Sequence, residues 1–80
     1  MKIKLNTIND VKKFVEISSK YQDSEIVIKQ DRYSIDGKSI LGIFSLNLLV
    51  PVKVIIDSEN DNSKIVFYNE IQRWKVNNSD

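Results

Sequence analysis

The stretch DGKSILGIFSL, from Asp36 to Leu46, sets a hydroxyl and a cation directly ahead of an apolar run. Ser39 stands at what reads as the mouth of a short helix, where its side chain faces backbone N–H groups that have no helical partner. A phosphoryl group on Ser39 would gain those hydrogen bonds and a favourable end-of-helix field, on the order of 0.3–1 kcal/mol for the field alone. Lys38 would add a nearby positive charge, and Gly37 and Gly42 would admit a close backbone approach by a partner. The same residue pattern also fits a plain helix cap. The apolar run itself is in surplus: Ile40, Leu41, Ile43, Phe44 and Leu46 crowd a helix that needs about three such residues to cover a core. Either all of them are buried, or some cover the sheet and the rest form an exposed patch for a protein partner.

Other chemistry has little to work with. The chain has no histidine and no cysteine. This removes the usual general acid or base, the commonest metal ligand, thiolate chemistry and any disulfide framework. The run DSENDN brings Asp57, Glu59 and Asp61 close together, but a calcium loop would want glycine sixth and glutamate twelfth, where Asn62 and Tyr68 stand. A solvated turn is the expectation, with no metal. Lys12 and Lys13, near the start of the first helix, and Lys38 before the second could hold an anion at the helix N-termini, but such lysines are more often simply solvated. Asn77 begins a glycosylation sequon that has no meaning in a cytoplasmic chain. Tyr21, Tyr33, Tyr68 and Trp74 are scattered over different elements and form no stacking platform. Neither an enzyme nor a cofactor is expected.

The elements that must position Ser39 follow from periodicity. Met1, Ile3 and Leu5 alternate with Lys2 and Lys4 as a half-buried strand. Thr7 and Asp10 have capping-box spacing, and Val11, Phe14, Val15 and Ser18 form the stripe of a helix predicted over Ile8 to Tyr21. SEIVIKQ and YSID read as a hairpin turning at Asp31 and Arg32. A short helix from Ser39 to about Asn47 and the strand PVKVIID follow. Asn62 or Ser63 can cap a final helix that carries Val66, Phe67, Ile71 and Trp74 inwards, ahead of a frayed VNNSD end. The order is β-α-β-β-α-β-α: an α+β fold with a four-stranded antiparallel sheet and three helices on one face.

Length and charge bound the class. The 80 residues suit one domain, residues 1–80, and a formal net charge of +1 recruits neither nucleic acid nor an anionic membrane. The apolar window from Ile40 to Ile56 is broken by Asn47, Pro51 and Lys53, short of the ~20 apolar residues of a membrane span. The N-terminal MKIKLN turns polar too soon for a secretory signal, so a cytoplasmic protein is expected.

GKSILGIFSLNL resembles the HPr family, the small phosphocarriers of the bacterial sugar phosphotransferase system, whose pattern there reads like Lys-Ser-Ile-Met-Gly-Val-Met-Ser-Leu. Lys38, Ser39, Ile40, Gly42, Ser45 and Leu46 match that pattern, and Leu41, Ile43 and Phe44 are apolar replacements. FVEISSKYQDSEIVIKQDRYSID is similar to the family's first helix and hairpin, so the resemblance covers most of the chain. It implies an HPr-like open-faced sandwich. It also implies regulatory phosphorylation on Ser39 by an HPr kinase, followed by binding of a transcriptional regulator. Lys38, Ile40, Leu41, Phe44 and Asn47 would be the partner-binding residues. The family's phosphohistidine lies in a Gly-x-His-x-Arg-Pro motif before the first helix; here that stretch is LNTIND, and Thr7 falls roughly at the histidine position. The expectation is a regulatory binding module without phosphocarrier activity, either a monomer or a weak homodimer. The alternatives are an oligomerisation module that has lost both phosphorylation functions, or a carrier with a non-histidine acceptor such as Thr7.

Overall fold

A computed structural model describes residues 1–76. The elements run β1 (Lys2–Ile3), α1 (Ile8–Ser18), β2 (Glu25–Gln30), β3 (Tyr33–Asp36), α2 (Ile40–Phe44), β4 (Val52–Asp57) and α3 (Asp61–Glu70), followed by a 3-10 turn at Gln72–Trp74. The strands form one antiparallel sheet in the order β1-β4-β2-β3. Alternation decides its faces: Ile26, Ile28, Val52, Val54 and Ile56 are buried towards the helices, and Glu25, Lys29, Lys53 and Asp57 are exposed on the open side. The expected α+β architecture is thus the one the chain adopts.

The core is an aromatic junction between helices and sheet. Phe14 of α1 meets Phe67 of α3 edge-on at a ring separation of 6.3 Å, and meets Trp74 at 6.1 Å. Tyr21 stands edge-on to Phe67 at 5.3 Å. The tail closes one side of the sheet: Val76 N–H donates to Lys2 O and Lys4 N–H to Trp74 O, both at 2.9 Å. These bonds cover the outer edge of β1, leaving β3 as the edge strand on the other side, short and mostly polar.

Element ends depart from the sequence-based bounds for local reasons. Strand β1 is shorter than Met1–Leu5, although Leu5 is still buried. Helix α1 stops at Ser18, because Lys20 and Tyr21 donate to Ile17 and Ser18 in tight i−3 turns that swing the Tyr21 ring onto Phe67. Helix α2 ends at Phe44 and not near Asn47, since Asn47 is drawn into paired hydrogen bonds with the Gln30 side chain. The cap of α3 is Asn60, whose side chain accepts from the N–H groups of Asn62 and Ser63, the two residues expected to cap it. Val66 is exposed, and Trp74 reaches the core from the 3-10 turn after α3 has ended. Asn77 and the rest of the expected frayed end after Val76 lie outside the described residues.

Backbone conformation at the turns reflects residue type. Asp31 supplies the left-handed φ of 53° in the two-residue hairpin connection, a conformation that aspartate tolerates better than most residues. Neither glycine has a positive φ. Gly37 instead packs where a Cβ would lie 2.5 Å from the Ile26 Cγ2 methyl and 3.1 Å from its carbonyl oxygen. Both glycines serve internal packing.

Two predictions follow from this packing. Gly37→Ala should destabilise the protein by about 1–3 kcal/mol in chemical denaturation, because the buried Ile26 methyl has no room to yield. The second concerns Glu70, which accepts from Lys20 Nζ at 2.6 Å and from the Tyr21 hydroxyl. The Lys20 hydrogen bond, then that of Tyr21, hold the Glu70 carboxyl below its ordinary value against the opposing effect of burial. Burial, and then the hydrogen bond to Glu70, push the Tyr21 phenol up to about 12. A lowered carboxyl contributes stability above its unfolded value of 4.5 and loses it as pH falls through the folded one. A raised phenol contributes stability below 10 and loses it as pH rises through about 12. Melting temperature against pH should therefore fall off at both ends, and Glu70→Gln should flatten the acid limb while only reducing the alkaline one, which rests first on burial of Tyr21.

Candidate functional site

Ser39 caps α2 with extended backbone, and its Oγ accepts from the Gly42 N–H at 3.1 Å. Its own N–H donates to Asp36 O, and its carbonyl accepts from Ile43 N–H, both at 3.0 Å. The hydroxyl is half-buried. Gly42 makes this geometry possible: a Cβ there would come within 2.6 Å of Ile35 Cγ2 and 3.1 Å of Ser39 Oγ. The close match at positions 38–42 thus has an internal reason, the seating of α2 against β3.

Lys38 takes a different place from the expected one. Its ammonium donates to the carbonyls of Tyr21 at 2.7 Å and Ser24 at 2.9 Å, tying the α2 entrance to the turn after α1. Its charge is engaged on those backbone oxygens, and a phosphoryl group on Ser39 would compete with them for it. Of the other lysines weighed as solvated, Lys13 pairs with Glu16 at 3.0 Å.

The apolar surplus divides between core and surface. Ile43 and Leu46 are core, and Ile40 is partly buried against it. Leu41 is 80% exposed and Phe44 43% exposed. The loop into β4 continues the patch with Leu49, 85% exposed, and with Val50. Across from them, Ile8 at the start of α1 is 63% exposed. A groove of about 240 Å³ runs between, lined by Leu5, Thr7, Ile8, Phe44, Leu48 and Leu49 among others.

Thr7 therefore sits at the groove, brought beside Phe44 by the fold. Its Oγ1 accepts from the Asp10 N–H at 3.0 Å, and the Asp10 carboxylate accepts from the Thr7 N–H at 3.2 Å, a complete capping box. Burial pushes the Asp10 carboxyl up, but the Asn6 backbone, the Trp74 side chain and Thr7 together hold it below its usual range. Asn47 shapes the far wall: its Oδ1 accepts from Leu49 N–H at 3.0 Å. Ile8, Leu48, Leu49 and Val50 were not legible as part of this surface. Ile8 opens the helix that follows Thr7, and the other three lie in an irregular loop with no periodicity.

Among the described residues no cluster of acidic side chains is arranged to hold a metal ion, and no helix is long and apolar enough to cross a membrane.

No protein-family profile matches the chain, and no curated protein sequence does either. Comparison with solved structures finds Crh of Bacillus subtilis, a catabolite repression protein whose crystal structure is a domain-swapped dimer. The two are 18% identical, and the superposition, with a TM-score of 0.65, covers 92% of this chain and 87% of that one. At that identity the likeness establishes architecture: the chain has the HPr-like fold, a four-stranded antiparallel sheet with three helices, that Crh also has.

Proposed function

We propose that this protein is a regulatory, protein-binding module of the HPr-like kind that acts in the cytoplasm, alongside the sugar phosphotransferase system, without carrying a phosphoryl group on histidine. The observation that carries this reading is the exposed apolar surface of Leu41 and Phe44 on the short helix that Ser39 caps, with Phe44 joining Leu49 and Ile8 along the Thr7 groove. Exposed apolar side chains grouped around a groove mark a place where a protein partner can exclude water. The fold shared with a catabolite repression protein supports the regulatory half of the reading.

Ser39 is the proposed switch. Its Oγ takes the γ-phosphoryl group of ATP from a partner kinase, with release of ADP. The product carries a dianion two residues ahead of Leu41 and five ahead of Phe44, about 7 Å along the helix axis to the far end of α2. A transcriptional regulator that reads both charge and apolar surface would then distinguish the two states. Because the Lys38 ammonium is held by the Tyr21 and Ser24 carbonyls, the partner supplies the cationic groups. Transfer from a phosphorylated carrier has no histidine to receive it, and the Thr7 hydroxyl is occupied as a cap.

Intact mass after incubation with ATP and a bacterial HPr kinase tests the reading. One added phosphate is expected on the wild type and none on Ser39→Ala. Leu41→Ala and Phe44→Ala should slow the modification at least tenfold while leaving the melting temperature nearly unchanged, since both side chains face solvent. An unmodified wild type, with the same kinase active on an ordinary HPr, would sink the proposal and leave Ser39 as a helix cap.

A further inference from the structure

The open face of the sheet carries a charge pattern that none of the foregoing uses. In the pairing of β2 with β4, Glu25 stands opposite Asp57, Val27 opposite Ile55 and Lys29 opposite Lys53. Strand β1 extends the last row, with Lys2 opposite Lys53. The face therefore reads, along the strands, as an acidic row, an apolar row and a basic row. Like charges placed directly across a ladder repel and destabilise a sheet, yet they fill both ends of this one. Among the described residues, none of Lys2, Lys29, Lys53, Glu25 or Asp57 takes part in an ion pair within the chain. A hollow of about 420 Å³ lies at the basic end beside Lys2, Lys29 and Lys53, with Asp31 of the hairpin turn also on its lining, and one of about 460 Å³ at the acidic end beside Asp23, Asp57 and Glu59.

We infer that this face is self-complementary and that its occupant is a second copy of the same chain. A two-fold axis laid along the Val27–Ile55 row turns one copy over onto the other and reverses the strand direction. Lys29 then faces Glu25 of the second copy, and Lys53 faces its Asp57, each pair occurring twice by symmetry. Val27 and Ile55, half-buried in the single chain, meet their own counterparts at the centre. Lysine side chains span the ~10 Å between packed sheets without difficulty. Asp36, beside Val27 on the edge strand, would face its counterpart at the rim, where its carboxylate already accepts from the Lys38 N–H at 2.9 Å. An anionic polymer on the lysine row would satisfy the basic end but leave the acidic row opposed to itself. A second copy satisfies both. With only two apolar side chains from each copy at its centre, the contact is a weak, reversible one that weakens with salt. It leaves the helical side, with Ser39 and the apolar groove, uncovered in both copies.

Charge reversal in the full chain tests the pattern by sedimentation velocity from micromolar to millimolar protein. Lys29→Glu with Lys53→Glu makes the face wholly acidic at those positions, and Glu25→Lys with Asp57→Lys makes it wholly basic. Each double variant alone should be monomeric. Their mixture should form a one-to-one complex at least tenfold tighter than the wild-type dimer. Circular dichroism checks that both fold; should either fail, Lys53→Gln and Glu25→Gln should each weaken self-association of the otherwise intact chain. A wild type that stays monomeric throughout, with no complex in the mixture, overturns the inference. A dimer indifferent to salt and to these substitutions, as a strand-swapped one would be, also overturns it. So does a monomer whose lysine row instead binds polyphosphate.

Discussion

Phe14 is the point on which the structure turns. It is fully buried, and its ring is held edge-on between Phe67 and Trp74. One side chain therefore couples α1 to α3 and to the turn that ends the described core. Through Trp74 the coupling reaches the sheet, because the segment that buries the indole also hydrogen-bonds the outer edge of β1. A chain of this size has few core residues to spare, so a single aromatic junction fixing three elements takes a large share of the packing. The open face, the groove and the Ser39 turn are all oriented by what this junction holds still.

The surface around α2 shows how packing constraints and exposed apolar side chains share the same short motif. Gly42 is required by Ile35 and by the Ser39 hydroxyl, Gly37 by Ile26, and Lys38 by two backbone carbonyls. These are internal demands, sufficient to account for glycine and lysine at those positions with no partner involved. Leu41 and Phe44 are different. No internal contact requires so much apolar surface in water, and their neighbours Leu49 and Ile8 extend it across the groove. The motif thus separates into residues that seat the helix and residues that the helix displays.

Thr7 illustrates the same division at the other wall of the groove. Its hydroxyl and the Asp10 carboxylate satisfy each other's backbone donors reciprocally, which leaves the threonine oxygen committed to the helix end. Thr7 is thereby part of the scaffold. What the groove presents to solvent is largely the apolar surface of Ile8, Phe44 and Leu49.

Much of this was legible beforehand. Alternation in EIVIKQ and VKVIID, the stripe of Val11, Phe14 and Ser18, and the Thr7 and Asp10 spacing are local signals, and each corresponds to an element or a cap in the fold. The α+β order follows from them, because strands with one apolar face and helices with one apolar stripe have only a few ways to cover each other. Helix ends were less legible. Where α1 and α2 stop is decided by the Tyr21 ring reaching Phe67 and by Asn47 pairing with Gln30, contacts between residues far apart in the chain. By itself the sequence determined which residues could turn inward and that Ser39 would stand at a helix mouth, since those depend on period and residue type. Only the tertiary structure decided which members of the apolar run face water, where the Lys38 charge goes, and that rows of like charge line up across the sheet. Strand register and helix seating place those groups, and both are settled by the packed core.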